Sequence, residues 1–393
     1  MDITIQPGKL AGSIPAIPSK SHAHRLLICA AFADGVSELI CPETNQDIEA
    51  TAQCLNALGA RISRTEAGYH VKPIRMVPIS AELNCGESGS TLRFMLPIVG
   101  ALGVDTVFHM EGRLPKRPLS PLWEEMERMG CQLSRPSESQ LRCQCKLRSG
   151  SYQIDGSISS QYVTGLLFAL SLLDGNSKLA VTGKLESKPY VDMTLHAMKQ
   201  FSVSAEHFSF HGKQQYHTPG TLKVEGDWSN AAFFLAANAL QGNVTVTNLS
   251  SDSAQGDKAV ADLIPLLHLF QRISAADIPD LIPILSVVAA INNGAEFTNI
   301  QRLRLKESDR VASIIAMIES LGGRAEAKED TLTVYGTGLT GGTVDSVNDH
   351  RIAMAAGIAA TACSNPVTVI NAQCVAKSYP SFWNDFCKLG GQI

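Results

Sequence analysis

One local pattern recurs along the chain and constrains its fold more than any other feature. It is an apolar-periodic helix, a Gly or Ser punctuation, then a short alternating strand. "CLNALGARIS" (54–63) and "MERMGCQLS" (126–134) are the clearest copies. "HAMKQFSVSAE" (196–206) and "LIPLLHLFQRISA" (263–275) fit more loosely, and "MIESLGGRAEA" (317–327) and "DFCKLGGQI" (385–393) complete the set. Gly after the last helical turn is the expected C-cap, and the alternation that follows marks a strand. The copies recur at roughly 50–70 residues, longer than solenoid periods, so they predict a compact array of one α/β unit used six times. Strands such as "YHVKP" and "LTVYG" and helices such as "TGLLFALSLL" lie between the copies, so each unit holds more strands than helices.

A chain of 393 residues exceeds one comfortable core, which predicts two domains of three units each. In "TLKVEGDWSNAAFFLAANAL" a strand stops at Glu225-Gly226-Asp227 and a helix starts with Asp227 or Ser229 as its cap, placing a boundary near Val224. The boundary need not be crossed only once, because the first strand can pair with the C-terminal half. A net charge of −4 provides no broad basic surface, which argues against nucleic acid as a partner and makes any anion recognition local. No apolar segment reaches membrane-spanning length, and the opening residues lack the pattern of a signal peptide. The ten cysteines are scattered: Cys143 and Cys145 form a lone CxC, no pair of CxxC motifs offers a zinc site, and reduced thiols in the cytoplasm are the simplest account.

Several helix starts combine small residues with cations, the composition of a local anion site. "NCGESGSTLRF" (84–94) opens an apolar helix, with Ser88 or Ser90 as cap, Arg93 just inside, and a kink or interruption expected at Pro97. "PSKSHAHR" (18–25) sets Lys20, Ser21 and Arg25 at a helix start; His22 and His24, two apart, face different directions and make no metal site. "EGRLPKRPLSPL" (111–122) is a basic, proline-bounded loop, and "SISSQYVTGLLFAL" (157–170) and "ESKPYVDMT" (186–194) add Ser159, Ser160, Gln161, Ser187, Lys188 and Tyr190. In "LRLKESDR" (303–310), Ser308 is the expected cap, and Glu307 beside Lys306 and Arg310 is how a carboxylate is held ionised or poised for proton transfer. "VNDHRIAMAAG" (347–357) sets His350 and Arg351 at another helix start, and "CVAKSYPSFW" (374–383) adds Lys377. Asp280, at the mouth of a buried-looking helix, is out of place unless it caps that helix or binds a polar ligand. The acid–base candidates Asp280, Glu307 and His350 all come from the C-terminal half. The set suggests a transferase of phosphorylated small molecules whose halves close on their ligands.

Taken in order, "PSKSHAHR", "GESGSTLRF", "KRPLSPL", "SSQYVTGLL", "ESKPYVDMT", "VEGDWSNAAFFLAA", "IPDLIPILSVVAA", "LRLKESDR", "NDHRIAMA" and "AKSYPSFW" resemble the 5-enolpyruvylshikimate-3-phosphate synthases, from about residue 7 to the C-terminus. The resemblance implies a two-domain inverted α/β barrel fold with three βαβαββ units per domain. It implies crossings near Ile17 and Val224, so that residues 1–17 plus 225–393 form one domain and 18–224 the other, with the active site in the cleft between them. The implied reaction moves the enolpyruvyl group of phosphoenolpyruvate to the 5-hydroxyl of shikimate 3-phosphate, without metal or organic cofactor, in a cytoplasmic monomer. By the same resemblance Lys20, Ser21, Arg25, Ser159, Ser160, Gln161, Ser187, Asp280 and Lys306 hold shikimate 3-phosphate, with Tyr190 nearby. Lys20, Gly89, Arg117, Gln161, Arg310, Arg351 and Lys377 surround phosphoenolpyruvate, Gly89 leaving room for close approach. Asp280 is the implied general base, Glu307 the implied proton donor with His350 close by, and Lys20 touches both substrates.

Two departures stand out. Relatives often carry Gly-Asn-Ala-Gly-Thr at residues 86–90, so Glu87 is expected to turn away or pair with a cation, and Arg302 stands where Asn is common. UDP-N-acetylglucosamine enolpyruvyl transferase shares the implied fold and donor but carries a cysteine in the basic loop, absent from residues 111–122. A non-catalytic phospholigand-binding scaffold is the alternative of a different class.

Overall fold

The computed structural model describes residues 1–144 and 146–393. The chain forms two compact units, Met1–Ile17 with Glu225–Ile393, and Pro18–Val224, each with its own hydrophobic core. Among the described residues the second unit holds six helices: α1 (Lys20–Ala31), α2 (Gln46–Ala57), α3 (Gly89–Leu102), α4 (Leu122–Arg128), α5 (Ser160–Leu172) and α6 (Lys188–Gln200). The first unit holds six more: α7 (Trp228–Ala239), α8 (Val260–Leu266), α9 (Ile282–Ile291), α10 (Arg310–Ser320), α11 (His350–Ala360) and α12 (Phe382–Lys388).

The sheets reveal the repeat. Ser37–Ile40 lies between a parallel neighbour, Thr221–Lys223, and an antiparallel one, Gly68–Lys72, which pairs antiparallel with Arg61–Arg64. The same order recurs in the sheet of Ser80–Asn84, Asp105–His109, Gln140–Gln144 and Gln132–Ser134. It recurs again in Gln271–Ser274, Ala295–Thr298, Thr331–Tyr335 and Arg324–Ala327. The other three sheets are reduced versions that keep the parallel pair. Parallel pairing requires a crossover, supplied here by helices. The N-terminal residues join the C-terminal half through their register: Ile3 faces Val369 in an antiparallel pair, and Gly12 faces Val244 in a parallel one.

The third copy departs from expectation. No strand forms over residues 203–206; an isolated bridge joins Glu206 to Ser209, and the strand is confined to Ser209–Phe210. Ser202, His207 and Phe208 all have positive φ, which turns the chain out of the extended form. The last copy likewise ends in a single bridge, Gln6 to Gln392. The nine described cysteines are free thiols; Cys145, half of the CxC reading, lies outside the described residues.

Helix α3 runs unbroken through Pro97 rather than stopping there. Proline has no N–H to give the carbonyl of Arg93 four residues back. Gly165 of α5 packs over that carbonyl, where a Cβ would collide with the oxygen. Gly165→Ala is expected to force the two helices apart and cost about 1–3 kcal/mol of stability, the usual range for overpacking. Urea denaturation of the variant beside the parent protein measures it.

Candidate active site

In the unit that contains the C-terminus, the starts of three helices are wired together by one guanidinium. Arg310, the first residue of α10, is 1% exposed. Its Nη1 donates to Asp280 Oδ1 at 2.6 Å, its Nη2 to Glu307 Oε2 at 2.6 Å, and its Nε to Asp349 Oδ2 at 2.9 Å. Asp349 is fully buried and N-caps α11 by accepting the Arg351 N–H at 3.0 Å. Asp280 precedes α9 but does not cap it. Its Oδ2 instead accepts from Arg351 Nη2 at 3.2 Å, and Lys306 Nζ lies 3.6 Å from Oδ1.

Burial opposes the charge on Asp280, but Arg351, Lys306 and Arg310 outweigh it and hold the carboxyl well below its ordinary range. Burial draws Lys306 down to about 8 against the opposing pull of Asp280. Lys377 Nζ donates to the Asn348 carbonyl at 2.8 Å, and His350, the first residue of α11, is buried beside this cluster's cap. Ser308 is not the cap of α10. Asp309 takes that role, accepting the Ala312 N–H at 3.2 Å, while Ser308 donates to Asp349 at 3.0 Å. A carboxylate one residue nearer the helix is the better partner for its exposed N–H groups, which releases Ser308 to the buried acid.

Sequence reasoning missed Asp257. It is buried, accepts a short hydrogen bond from the Ser229 hydroxyl, and is raised to about 7 by burial first and the charge of Asp280 second, with Arg351 opposing. An isolated aspartate in the polar loop "SAQGDK" offered nothing to find it by.

The other unit places a different chemistry at its helix starts. Ser19 caps α1, and Lys20 pairs with Asp47 at 2.9 Å. Arg25 is 2% exposed, and its hydrogen bonds go to neutral groups: the Thr194 and Thr164 hydroxyls and the carbonyls of Ser21 and Tyr190. Burial lowers it only to about 10, so it stays charged. Ser159 caps α5, and Ser187 sits in the left-handed region at φ 53° just before α6.

Ser88, not Ser90, caps α3. A Cβ on Gly89 would stand 2.6 Å from Arg93 Nη1 and 2.7 Å from Arg117 Nη1. The space at Gly89 is therefore taken by two guanidinium ends. Arg93, left unassigned in the sequence, donates to Gln161 Oε1 at 3.1 Å, and Gln161 donates to Ser90 Oγ at 3.0 Å. Thus Gly89, Ser90, Arg93, Arg117 and Gln161 form one cluster. Glu87 stands against Gly112 at the entry of the basic loop, whose Leu114 is buried. Among the described residues no group of three or more His, Cys, Asp or Glu side chains is placed to hold a metal, and no helix is long and apolar enough to cross a membrane.

Repeated βαβαββ units of this kind define the inside-out α/β barrel of the enolpyruvyl transferases. The EPSP synthase from Acinetobacter baumannii superposes with a TM-score of 0.81 at 21% identity, covering 100% of both chains. The enolpyruvyl transferase NikO from Streptomyces tendae superposes at 0.75 and 16% identity, covering 100% of this chain and 97% of the other. The sequence carries the assignment further. It matches the family EPSP synthase (3-phosphoshikimate 1-carboxyvinyltransferase) over residues 5–268 and 265–386. It is 39% identical to the 3-phosphoshikimate 1-carboxyvinyltransferase of Clostridium beijerinckii, over 99% of this chain and 98% of that one. The chain belongs to the EPSP synthase family. It is a transferase that moves the enolpyruvyl group of phosphoenolpyruvate to shikimate 3-phosphate, a step of the shikimate pathway.

The raised carboxyl of Asp257 makes a signed prediction. A folded-state value of about 7 against an ordinary 3.8 means stability is lost as pH rises from about 4 to 7. Asp257→Asn removes the ionisation. It is expected to stabilise the protein at pH 8 by more than about 1 kcal/mol and to give little of that gain at pH 4.5. Denaturant titrations at the two pH values measure the difference.

Proposed function

We propose that residues of both units bind the two substrates, with Asp280 as the general base for the 5-hydroxyl of shikimate 3-phosphate. Lys20, Ser21, Arg25, Ser159, Ser160, Gln161, Ser187 and Lys306 hold that substrate. Arg25 supports the assignment best among them, because a buried cation bonded to neutral groups calls for an anion. Lys20, Gly89, Arg117, Gln161, Arg310, Arg351 and Lys377 surround phosphoenolpyruvate. We add Arg93, which shares Gln161 and the Gly89 space. Glu307 delivers the proton to the methylene carbon, with His350 beside it, and water is excluded from the cationic species that forms. The protein works as a cytoplasmic monomer without nucleic acid or membrane, a reading supported by its net charge of −4 and its free thiols.

The observation that carries the roles is the wiring of Asp280. Both its oxygens lie against Arg310 and Arg351, the two guanidiniums assigned to the donor. In that state it is a weak base. The carboxylate of phosphoenolpyruvate competes for the same guanidiniums, and each contact it takes returns proton affinity to Asp280. The base is thereby strengthened when the donor is in place.

Phosphate release from phosphoenolpyruvate, with shikimate 3-phosphate as acceptor and no added metal, tests this assignment. Asp280→Ala is expected to lower turnover about 10²-fold or more while shikimate 3-phosphate still binds. Undiminished turnover would remove Asp280 from the base role, and release with UDP-N-acetylglucosamine alone would mean the acceptor is misassigned. Gly89→Ala must push the Arg93 and Arg117 guanidiniums aside. It is expected to raise the KM for phosphoenolpyruvate about tenfold and leave shikimate 3-phosphate affinity within about twofold, as expected for a change confined to charge-assisted contacts. Equal losses for both substrates would contradict the placement.

A further inference from the structure

A buried chain of hydroxyls links a histidine that none of the assigned roles uses to the cap of the α3 anion loop. His24 Nδ1 lies 2.7 Å from Thr51 Oγ1, Thr51 Oγ1 lies 2.7 Å from Thr91 Oγ1, and Thr91 Oγ1 donates to Ser88 Oγ at 2.8 Å. The members come from α1, α2, α3 and the α3 cap, and none is more than 1% exposed. Ser88 Oγ also accepts the Thr91 N–H at 3.2 Å, and the Thr91 hydroxyl reaches the Asp47 carbonyl at 3.4 Å. Asp47 is the residue that pairs with Lys20.

Counting protons gives the chain a direction. A hydroxyl has one proton. Thr91 directs its own toward Ser88 and Asp47, so it accepts from Thr51. Thr51 has then used its proton and accepts from His24. His24 must therefore carry its proton on Nδ1. Its Nε2, buried and without a hydrogen-bond partner among the described residues, is left as the bare nitrogen. The Ser88 proton remains as the free end of the chain, beside Gly89. Burial, with Lys20 and Arg25 nearby, holds His24 well below its ordinary range and keeps it neutral.

We propose that His24 is a positioning residue for the phosphoenolpyruvate loop, acting through Thr51 and Thr91 to fix the Ser88 cap and aim its hydroxyl proton at the anion. This rests on the assignment of the α3 N-terminus to phosphoenolpyruvate. Hydrogen-bonded chains of one polarity reinforce each other, so a break in the middle is felt at the end.

Thr51→Val breaks the chain while keeping the side-chain shape. Assayed well below its melting temperature, it is expected to raise the KM for phosphoenolpyruvate about tenfold, with kcat and shikimate 3-phosphate affinity within about twofold, because an unmade buried hydrogen bond has that scale. Thr51→Ser restores the hydroxyl and should return the KM to the parent value. A lower melting temperature with an unchanged KM would reduce the chain to structure and overturn the proposal. Gly89→Ala separates the two failures. If it raises the KM and Thr51→Val does not, the role of His24 falls alone; if neither does, the assignment of the loop falls as well. The unaltered protein gives an independent check. Side-chain ¹⁵N spectra should show His24 as the neutral Nδ1–H tautomer, and an Nε2–H tautomer would reverse the chain and overturn the proposal.

Discussion

A guanidinium 1% exposed to water cannot be left uncompensated, and the geometry of the first unit follows from how Arg310 is satisfied. Its three carboxylate partners come from the turns preceding α9, α10 and α11, so those helices can start only where Asp280, Glu307 and Asp349 converge. Asp349 does a second job, because the same side chain that holds Arg310 also caps α11 and orients Arg351. Breaking such a pair from one side commonly costs about 3–5 kcal/mol, mostly as the charge left behind. Arg310 thus holds Asp280, Glu307 and Asp349 together at one point of the unit.

The second unit solves the opposite problem. Arg25 is surrounded by hydroxyls and carbonyls, and Arg93 by amide and carbonyl oxygens and the Tyr162 ring. Around Arg25, such partners orient the cation without neutralising it. Close packing sets where that charge sits. Gly165 lets α5 lie on the Arg93 carbonyl, to which Pro97 has no N–H to donate, and Gly89 gives the guanidiniums of Arg93 and Arg117 a shared space. One unit meets its buried guanidinium with carboxylates, and the other surrounds Arg25 with neutral groups.

Much of this was legible because helix starts are local. Ser88 and Asp227 announce caps right beside the helices they begin, and Asp280 stood out as a carboxylate at an apolar helix. What escaped depends on contacts distant in sequence. Arg310 meets Asp349 across 39 residues and Arg351 meets Asp280 across 71, so neither spacing hints at a shared network. Arg93 was in plain view, but its role emerged only when α5 brought Gln161 alongside it. The choice of Asp309 over Ser308 as cap turned on where the buried Asp349 lay. Asp257 had no local mark, since burial, which sequence does not print, is what makes it unusual.

On the roles proposed for the two arginines, the site has a consistent electrostatic logic. In the free protein Arg310 and Arg351 face Asp280, and the donor offers them a carboxylate of its own. Exchanging one carboxylate for another keeps each buried guanidinium paired throughout, which avoids the desolvated bare charge that would otherwise oppose binding. Asp280 pays in lost cationic contacts and is left a stronger base, while Lys306, 3.6 Å away and drawn down to about 8, is the cation still beside it. On those proposed roles, the contact that holds Asp280 ionised is the one that the donor takes over, which ties proton acceptance to the molecule to be transferred.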